Sequence, residues 1–593
     1  MAISIRRIQE IIFQIKYAFR EYTSQVLLLG LLSFLSSLLE GIGISTIIPL
    51  FSFVTGGRGH GEDFITQFIE SIFTFFNIPY TLKILLVFIM ALFFLKAILY
   101  FFFKFFSVYV VSNYEKKTRE NLLKKTFVAT WPFLSKQKIG YLDQILNTDT
   151  RHSAIVLTRI SETLPTITNT IIYTVVAFSI SPFITFLTVL FGLFIFLLLR
   201  PLLQRNKHAS LSITNAYKDM AHFVNEHIIG IKTLKATHVH KQAQKEGINF
   251  FESVRIENIR IGLLVNGSTA IIQPIGIFFI LVIFAVFYKS GTFNFASFAV
   301  VVYAINKIFA QVQIGQNQLH NFSTLLPYLE HVVGYEKSIE NNKEKDVGKH
   351  SFIFKKTLEL KDLSFSYENN ERSIKNINLT IKKGQIVGII GPSGAGKTTI
   401  VDFLLRLLEP QSGEITLDGV SIKDIKLKSW REKVGYVAQD IFLLNDTIES
   451  NIQFYDKNIK KEDIIAAAKT SYIHEVISTF PDGYRTIVGE RGTRLSGGQR
   501  QRIVLARILA RKPDILILDE ATSSLDNESE VHIQKAIEKL HGKMTIIIIA
   551  HRLSTVRNAD HLFVIENGEV IEKGKPDDLL KENDSYFSKN YQS

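Results

Sequence analysis

The sequence predicts an α-helical domain with six membrane spans, followed by an α/β nucleotide-binding domain of the P-loop type. Three observations predict this arrangement. Long apolar stretches crowd residues 24–325, residues 356–593 have the composition of a soluble domain, and a glycine-rich motif that suits phosphate binding lies at 391–398. At 593 residues the chain is also too long for one hydrophobic core.

Charge and cysteine content narrow the class of protein. The chain has a formal net charge of +13 and no cysteine. A basic chain can bind nucleic acid, but basic loops on the cytoplasmic side of a membrane explain this charge better, so no nucleic-acid partner is predicted. The lack of cysteine excludes disulfides and thiolate metal sites. No cleavable signal peptide is evident before the first apolar stretch.

A membrane-spanning helix needs about 20 predominantly apolar residues. Six stretches meet this requirement: 25–54, 82–106, 160–180, 182–204, 259–288 and 294–325. Basic residues are concentrated between the second and third stretches and between the fourth and fifth, which predicts that both termini and both long connections are cytoplasmic. These connections are poor in Gly and Pro, so we expect the spans to continue as helices, with breaks at 138–141 and 229–232.

These features divide the chain into four parts. We expect a cytoplasmic N-terminal segment at 1–24, a transmembrane domain at 25–330, a charged linker at 331–355 and a nucleotide-binding domain at 356–593. Outside the membrane, apolar residues recur at helical spacing from Phe64 to Phe73, which predicts a short amphipathic helix at the membrane surface.

The glycine-rich motif has the sequence and the context of a phosphate-binding loop. It follows the apolar strand Ile386–Ile390 and precedes a helical run from Thr399. Backbone N–H groups of such a loop surround phosphate oxygens. Lys397 is predicted to bind the β- and γ-phosphates of ATP, and Thr398 to bind Mg²⁺. The predicted nucleotide contacts are Gly391, Pro392, Ser393, Gly394, Ala395, Gly396, Lys397, Thr398 and Thr399.

Two carboxylates follow a second apolar run, Ile515–Leu518. A buried strand would deliver them to its carboxyl end, beside the phosphate loop. Asp519 is predicted to act at Mg²⁺, and Glu520 to act as the base that orients the attacking water.

Further motifs resemble, in order along 356–593, those of the ATP-binding-cassette (ABC) family. The resemblance implies that Tyr367 stacks on adenine, that Gln439 senses Mg²⁺, that His551 contacts the γ-phosphate and that 524–526 join the two halves of a dimer. It also implies that the signature of one subunit faces the nucleotide of another, so that two ATP molecules lie between two chains. The signature residues are Leu495, Ser496, Gly497, Gly498 and Gln499. All motifs are of the expected type, which predicts a homodimer.

The membrane half resembles that of ABC exporters, and its first span is similar to flippases of lipid-linked oligosaccharides. The resemblance implies an ATP-hydrolysing translocase in the cytoplasmic membrane, with membrane lipids as partners. It would export or flip an amphiphile, such as a lipid-linked oligosaccharide or another anionic glycolipid. Hydrophobic drugs or peptides are the alternative substrates, and a membrane-tethered ATPase that gates a conductance is the alternative class.

Three ionisable residues are singled out within the predicted spans as candidates for substrate binding: Glu40, Lys96 and Lys307. Charges inside a membrane are costly and usually functional. The two lysines have similar predicted depths, so they could form a basic ring that binds an anionic head group. Two alternatives remain open: Glu40 neutralises one lysine as a structural pair, or the lysines extend toward water.

Overall fold

The computed structural model describes residues 5–54, 64–137, 139–288, 295–367, 373–520, 527–550, 553–582 and 584–591. The chain forms two compact units. The first contains Met1–Ala129 and Gln137–Asn342, and the second contains Thr130–Lys136 and Lys343–Ser593. The first unit is helical and the second is an α/β domain, which confirms the predicted fold class.

Long helices dominate the chain up to residue 341. A 3-10 turn at Arg20–Tyr22 precedes α2, and a π-helical segment at Gln144–Asp149 separates α7 from α8. The helices are α1 (Ile5–Ala18), α2 (Thr23–Ser45), α3 (Ile47–Val54), α4 (Phe64–Phe75), α5 (Leu82–Phe127), α6 (Trp131–Ser135), α7 (Ile139–Asp143), α8 (Thr150–Ile180), α9 (Pro182–Ile229), α10 (Ile231–Ala236), α11 (His240–Phe287) and α12 (Phe295–Asn341).

Apolar helical segments occur at all six predicted positions. Within the described ranges, four are long and apolar enough to cross a membrane: Arg20–Phe51, Leu82–Phe127, Gly140–Ile180 and Phe298–Leu319. Two shorter ones, Pro182–Phe194 and Pro274–Val286, lie within α9 and α11. Phe94, Phe101 and Phe105 of α5 are largely exposed, as expected where lipid rather than water is the solvent. Helices α8, α11 and α12 each contain an internal proline, at 165, 274 and 327 respectively.

The helices continue beyond the apolar segments, as predicted. The break at 229–232 is confirmed, because α9 ends at Ile229 and α10 begins at Ile231. The other break was placed too late in the sequence. Helix α5 already ends at Phe127, and Pro132 at the start of α6 lacks the N–H that a continuous helix requires. Lys138, within the predicted break, lies outside the described residues.

The segment predicted as a charged linker differs from that prediction. Its first part is helical, since α12 continues to Asn341. Glu336 and Glu340 are one helical turn apart, and both form ion pairs with Lys125 of α5, at 2.7 and 2.5 Å. These charges therefore hold two helices together.

The second unit contains two sheets. An antiparallel sheet has the strand order β2-β1-β4-β5, and a six-stranded sheet has the order β10-β9-β3-β8-β7-β6. The strands are β1 (Thr357–Phe365), β2 (Ile374–Lys382), β3 (Ile386–Ile390), β4 (Ser412–Leu417), β5 (Val420–Ser421), β6 (Val434–Val437), β7 (Ile515–Asp519), β8 (Thr545–Ile549), β9 (His561–Glu566) and β10 (Glu569–Gly574).

Helices surround these sheets. Strands β9, β3, β8, β7 and β6 are parallel, and β3, β7 and β8 are buried along their whole length. Their carboxyl ends therefore meet at one edge, where the predicted motifs follow. The helices are α13 (Lys397–Leu404), α14 (Leu427–Lys433), α15 (Ile448–Gln453), α16 (Lys461–Thr470), α17 (His474–Thr479), α18 (Gly497–Leu509), α19 (Asn527–Leu540), α20 (Leu553–Val556), α21 (Pro576–Lys581) and α22 (Tyr586–Tyr591).

Candidate functional site

The phosphate loop connects β3 to α13. Gly391, Gly394 and Gly396 have φ angles of +149°, +81° and +102°, which L side chains rarely adopt. A Cβ atom at Gly391 would also lie 1.9 Å from the carbonyl oxygen of Ile565. The backbone can therefore turn around a phosphate group only because these positions are glycine.

Lys397 is held inside this loop. Its ammonium group donates hydrogen bonds to the carbonyl oxygens of Gly391 and Pro392, both at 2.8 Å. The residue is only 6% exposed, and burial lowers the pKa of its ammonium group, an effect that Glu520 and Asp519 partly oppose. A lysine in this position presents a fixed charge to a bound phosphate. The predicted Mg²⁺ ligand Thr398 is exposed beside it, whereas Thr399 is buried.

The structure brings two of the predicted catalytic residues, Gln439 and Glu520, into contact beside Asp519. Asp519 ends β7 and is 5% exposed, and Glu520 follows it with a φ angle of +48°. Such a backbone conformation is uncommon outside glycine and is often found at functional sites. The side-chain amide of Gln439 donates a 2.8 Å hydrogen bond to the Glu520 carboxylate. This contact joins the second residue after β6 to the first residue after β7.

Two further residues next to Asp519 were missed in the sequence. The Tyr436 hydroxyl donates a 3.3 Å hydrogen bond to Asp519, and burial together with this carboxylate raises the pKa of the tyrosine. Burial, and secondarily the Asp519 charge, raises the pKa of Asp402 on α13 to about 6. Tyr436 lies in the same short motif as Gln439, but the contact becomes visible only when β6 and β7 are paired.

Tyr436→Phe should test whether this hydroxyl positions Asp519. We expect the Mg²⁺ concentration for half-maximal ATPase activity to rise by about tenfold, because loss of a hydrogen bond to a charged group costs ~1.5–3 kcal/mol. The melting temperature should stay within a few degrees, since the aromatic ring remains. Tyr484→Phe, in which the hydroxyl next to His474 is removed instead, is the matched control. An unchanged Mg²⁺ requirement would contradict this role.

The donor atoms at this edge suit Mg²⁺, which prefers oxygen ligands in an octahedral arrangement. Three side chains offer oxygen ligands: the hydroxyl of Thr398, the amide of Gln439 and the carboxylate of Asp519. A nucleotide would supply phosphate oxygens. In the part of the chain that the structure describes, no group of three or more His, Cys, Asp or Glu residues could hold a metal ion.

Tyr367 lies close to the phosphate loop. Its hydroxyl oxygen is 3.4 Å from the Thr399 hydroxyl oxygen, and its ring packs edge-on against Phe365 at 4.9 Å between centroids. The ring is 43% exposed, so one side is available for a planar ligand. Adenine stacking by Tyr367 stays a prediction.

The signature motif forms the start of α18. Ser496 caps this helix by accepting a hydrogen bond from the Gln499 N–H at 3.2 Å, while the Gln499 side chain accepts one from the Ser496 N–H at 2.9 Å. Ser496 is exposed, but Leu495 is 6% exposed and packs in the hydrophobic core. The Leu495 side chain therefore packs in the core of its own domain, and a contact of this residue with nucleotide stays a prediction.

The signature does not complete the phosphate site of its own chain. Among the described residues, no hydrogen bond or ion pair joins 495–499 to the phosphate loop. Two other predictions, on His551 and on 524–526, lie outside the described residues.

The first unit contains an ion cluster formed by the three membrane residues singled out in the sequence. The Lys96 ammonium lies 2.8 Å from one Glu40 carboxylate oxygen, and the Lys307 ammonium lies 3.9 Å from the other. Helices α2, α5 and α12 thus each contribute one charged group. The structure supports contact of Glu40 with both lysines, and one positive charge remains in excess.

A second ion cluster shows that the predicted spans contain more ionisable residues than the three singled out in the sequence. Glu162 of α8 contacts Lys104 of α5 at 3.3 Å and Arg159 at 2.7 Å, and Gln318 of α12 donates to it at 3.5 Å. Lys104 and Glu162 both lie within the stretches predicted as spans, close to their ends. Both residues are visible in the sequence, but their pairing depends on the packing of α5 against α8.

Comparisons with known proteins agree with this architecture. Residues 26–312 match the family described as ABC transporter transmembrane region, and residues 374–523 match ABC transporter. The ATP-dependent lipid A-core flippase of Syntrophus aciditrophicus is 44% identical over 230 residues, which are 39% of this chain and 38% of the flippase. The uncharacterised ABC transporter ATP-binding protein YwjA of Bacillus subtilis is 34% identical over 391 residues, 63% of this chain and 66% of that protein.

The match spans less than two thirds of the length of either relative. A solved structure extends the comparison to the whole fold. A bacterial Atm1-family ABC exporter with ATP bound has a TM-score of 0.76 and 22% identity, over 96% of this chain and 98% of that chain. At this identity the likeness concerns the fold. The two family matches together span about three quarters of the chain, and they show that it belongs to the ABC transporters and carries an ABC ATPase domain.

Proposed function

We propose that the chain is one half of a homodimeric exporter that uses ATP hydrolysis to flip an amphiphile across the cytoplasmic membrane, with both termini and the ATPase domain in the cytoplasm. The observation that carries this proposal is the convergence of Lys397, Gln439, Asp519 and Glu520 at one sheet edge of a chain that also contains membrane helices. These residues provide what phosphoryl transfer to water requires.

Each residue has a defined part in hydrolysis. Lys397 would bind the β- and γ-phosphates, and the loop N–H groups would orient them. Glu520 would accept a proton from the water that attacks the γ-phosphorus, while the bond to the bridging oxygen breaks and ADP leaves. Gln439 bonds to Glu520 and would report the state of the site to neighbouring residues. Mg²⁺ would neutralise charge on the phosphates when bound.

The exposed signature supports assembly of two copies. Ser496 and the first N–H groups of α18 form a helix N-terminus, which favours anions, yet they lie apart from the phosphate loop of the same chain. A second copy would bring its signature to this loop. The homodimer is proposed because one chain supplies every residue type that both sites need.

The substrate is proposed to be an anionic lipid, with a lipid-linked oligosaccharide or another glycolipid as the leading candidates. The excess positive charge of the Glu40, Lys96 and Lys307 cluster supports an anionic group, since an unneutralised charge inside a membrane is costly. One relative is named a lipid A-core flippase, which also favours a lipid. Hydrophobic drugs or peptides remain the alternative.

Vesicles that contain only this chain test the proposal. With MgATP, a fluorescent anionic lipid should move between leaflets, and no movement should occur with a non-hydrolysable ATP analogue, because hydrolysis resets the dimer. A requirement for a different partner chain would contradict the homodimer. Ion flux without lipid movement would favour an ATPase that gates a conductance instead.

A further inference from the structure

We propose that Glu40 is an internal counter-anion that sets the charge of the accepted head group, so that the cluster with Lys96 and Lys307 binds a singly charged phosphodiester in preference to a diphosphate. This inference deepens the proposed function and rests on it in taking the substrate to be an anionic amphiphile. Among the two leading candidates it favours a glycolipid with a singly charged phosphodiester over an oligosaccharide linked to its lipid through a diphosphate. It differs from a simple basic ring, in which both lysines would be available to the ligand.

Glu40 occupies a fixed position behind the lysines. Its side chain is 8% exposed, whereas those of Lys96 and Lys307 are 27% and 37% exposed. The next residue, Gly41, packs so closely against α8 that a Cβ atom would lie 2.4 Å from the Ile172 side chain. Helix α2 is therefore closely packed against α8 next to Glu40, and the two lysine side chains are more exposed than the Glu40 carboxylate.

The two lysines are bound to Glu40 unequally. The 2.8 Å contact with Lys96 is a direct ion pair, but the 3.9 Å contact with Lys307 is at the limit for one. The Lys307 ammonium instead lies 5.4 Å from the centre of the Tyr303 ring, a cation–π contact. Among the residues that the structure describes, neither lysine has another carboxylate within 4.0 Å. Lys307 is thus the less neutralised of the two.

The net charge of the cluster determines which head group it should prefer. Two ammonium groups and one carboxylate leave one positive charge, which a phosphodiester would balance. A diphosphate diester carries two negative charges and would leave one uncompensated in a low-dielectric region, where the cost is larger than in water.

Equilibrium binding to the purified full-length chain in neutral detergent tests this count without nucleotide or transport. Radiolabelled phosphatidylglycerol, phosphatidylcholine and a prenyl diphosphate sugar provide one, zero and two net negative charges. We expect the native chain to bind phosphatidylglycerol about tenfold more tightly than either other lipid. Dimethyl phosphate, which has the charge without acyl chains, should bind at least about a hundredfold more weakly than phosphatidylglycerol if the ligand is a lipid.

Variants that change the net charge of the cluster should change which of the three lipids binds most tightly. Glu40→Gln leaves two positive charges and should shift the preference to the diphosphate by about tenfold. Lys96→Gln or Lys307→Gln leaves none and should abolish the preference for phosphatidylglycerol over phosphatidylcholine. The double variant Glu40→Gln/Lys307→Gln again has one positive charge and should regain it. Lys104→Gln, in the second cluster, is the matched control that should leave the preference unchanged.

The outcomes separate this inference from the proposed function. Equal binding of the three lipids by the native chain, or a Glu40→Gln variant with unchanged charge preference, would overturn it, even where vesicles show ATP-driven flipping. Equal affinity for dimethyl phosphate and phosphatidylglycerol would overturn the lipid as ligand. Because the lipid series on the native chain is decisive alone, variants that fail to fold leave the test intact. Failure of flipping with a preserved charge series would instead contradict the proposed function.

Discussion

Glu520→Gln is expected to lower ATP hydrolysis by at least about a hundredfold while ATP binding is retained, because general-base contributions are typically 10²–10⁴-fold. The amide has the shape of the carboxylate but cannot take a proton from water. It can still hydrogen bond with Gln439, which lies 2.8 Å away in the native chain. The phosphate loop and Lys397 are untouched, so bound nucleotide should accumulate instead of turning over.

Two measurements check this expectation: the steady-state rate of phosphate release, and the nucleotide retained by the dimer after gel filtration. Asp514→Asn is the matched control, since Asp514 immediately precedes β7, pairs with Lys433 at the surface and should have little effect. A Gln variant that hydrolyses ATP at nearly the native rate would show that another group activates the water.

Lys397→Gln should abolish activity by a different route. The variant removes the buried charge that we place against the β- and γ-phosphates, so we expect ATP affinity to fall at least about tenfold and hydrolysis at least about a hundredfold. Unlike the Glu520 variant, it should retain little nucleotide after gel filtration. The melting temperature in the absence of ATP should not fall, because a buried ammonium is costly and Gln can still donate to the Gly391 carbonyl.

Isothermal titration of ATP into the two variants distinguishes these routes. Lys433→Gln, which removes a half-exposed lysine beside Asp514, serves as the control for loss of one positive charge in the same domain. Near-native affinity in Lys397→Gln would show that the backbone of the loop alone holds the phosphates.

The hydrophobic pattern predicted the fold class well, because the distribution of apolar residues depends directly on whether a segment faces lipid, water or a buried core. Apolar stretches of membrane length and the buried strands before each motif can be identified without knowledge of their neighbours. The break after α5 was harder to place, because Lys138–Tyr141 carries a glycine turn signal whereas the helix ends earlier, ahead of Pro132. The charged residues after 331 resemble a linker in composition, and only the contact of Lys125 with Glu336 and Glu340 reveals a helix.

The residues of the candidate sites also divide into those that could be predicted from the sequence and those that could not. Residues within continuous motifs, such as Lys397 and Glu520, could be predicted from sequence because the loop geometry depends on local spacing. Tyr436 and Glu162 could not, since each acquires its partner from another strand or helix through tertiary packing. The burial of the Leu495 side chain was not predicted, because a motif does not distinguish its exposed positions from those that anchor it in the core.

The prolines within α8, α11 and α12 have a mechanical consequence. Each removes one N–H from the helical ladder and displaces the carbonyl four residues earlier, so Pro165 leaves the Ser161 carbonyl without its usual donor. A helix is least stiff at such a point, because bending there stretches no hydrogen bond. Helices α8, α11 and α12 should therefore bend more easily at their internal prolines than elsewhere. When the helical bundle changes shape, bending should concentrate at these prolines, and the helical segments on either side should move as nearly rigid bodies.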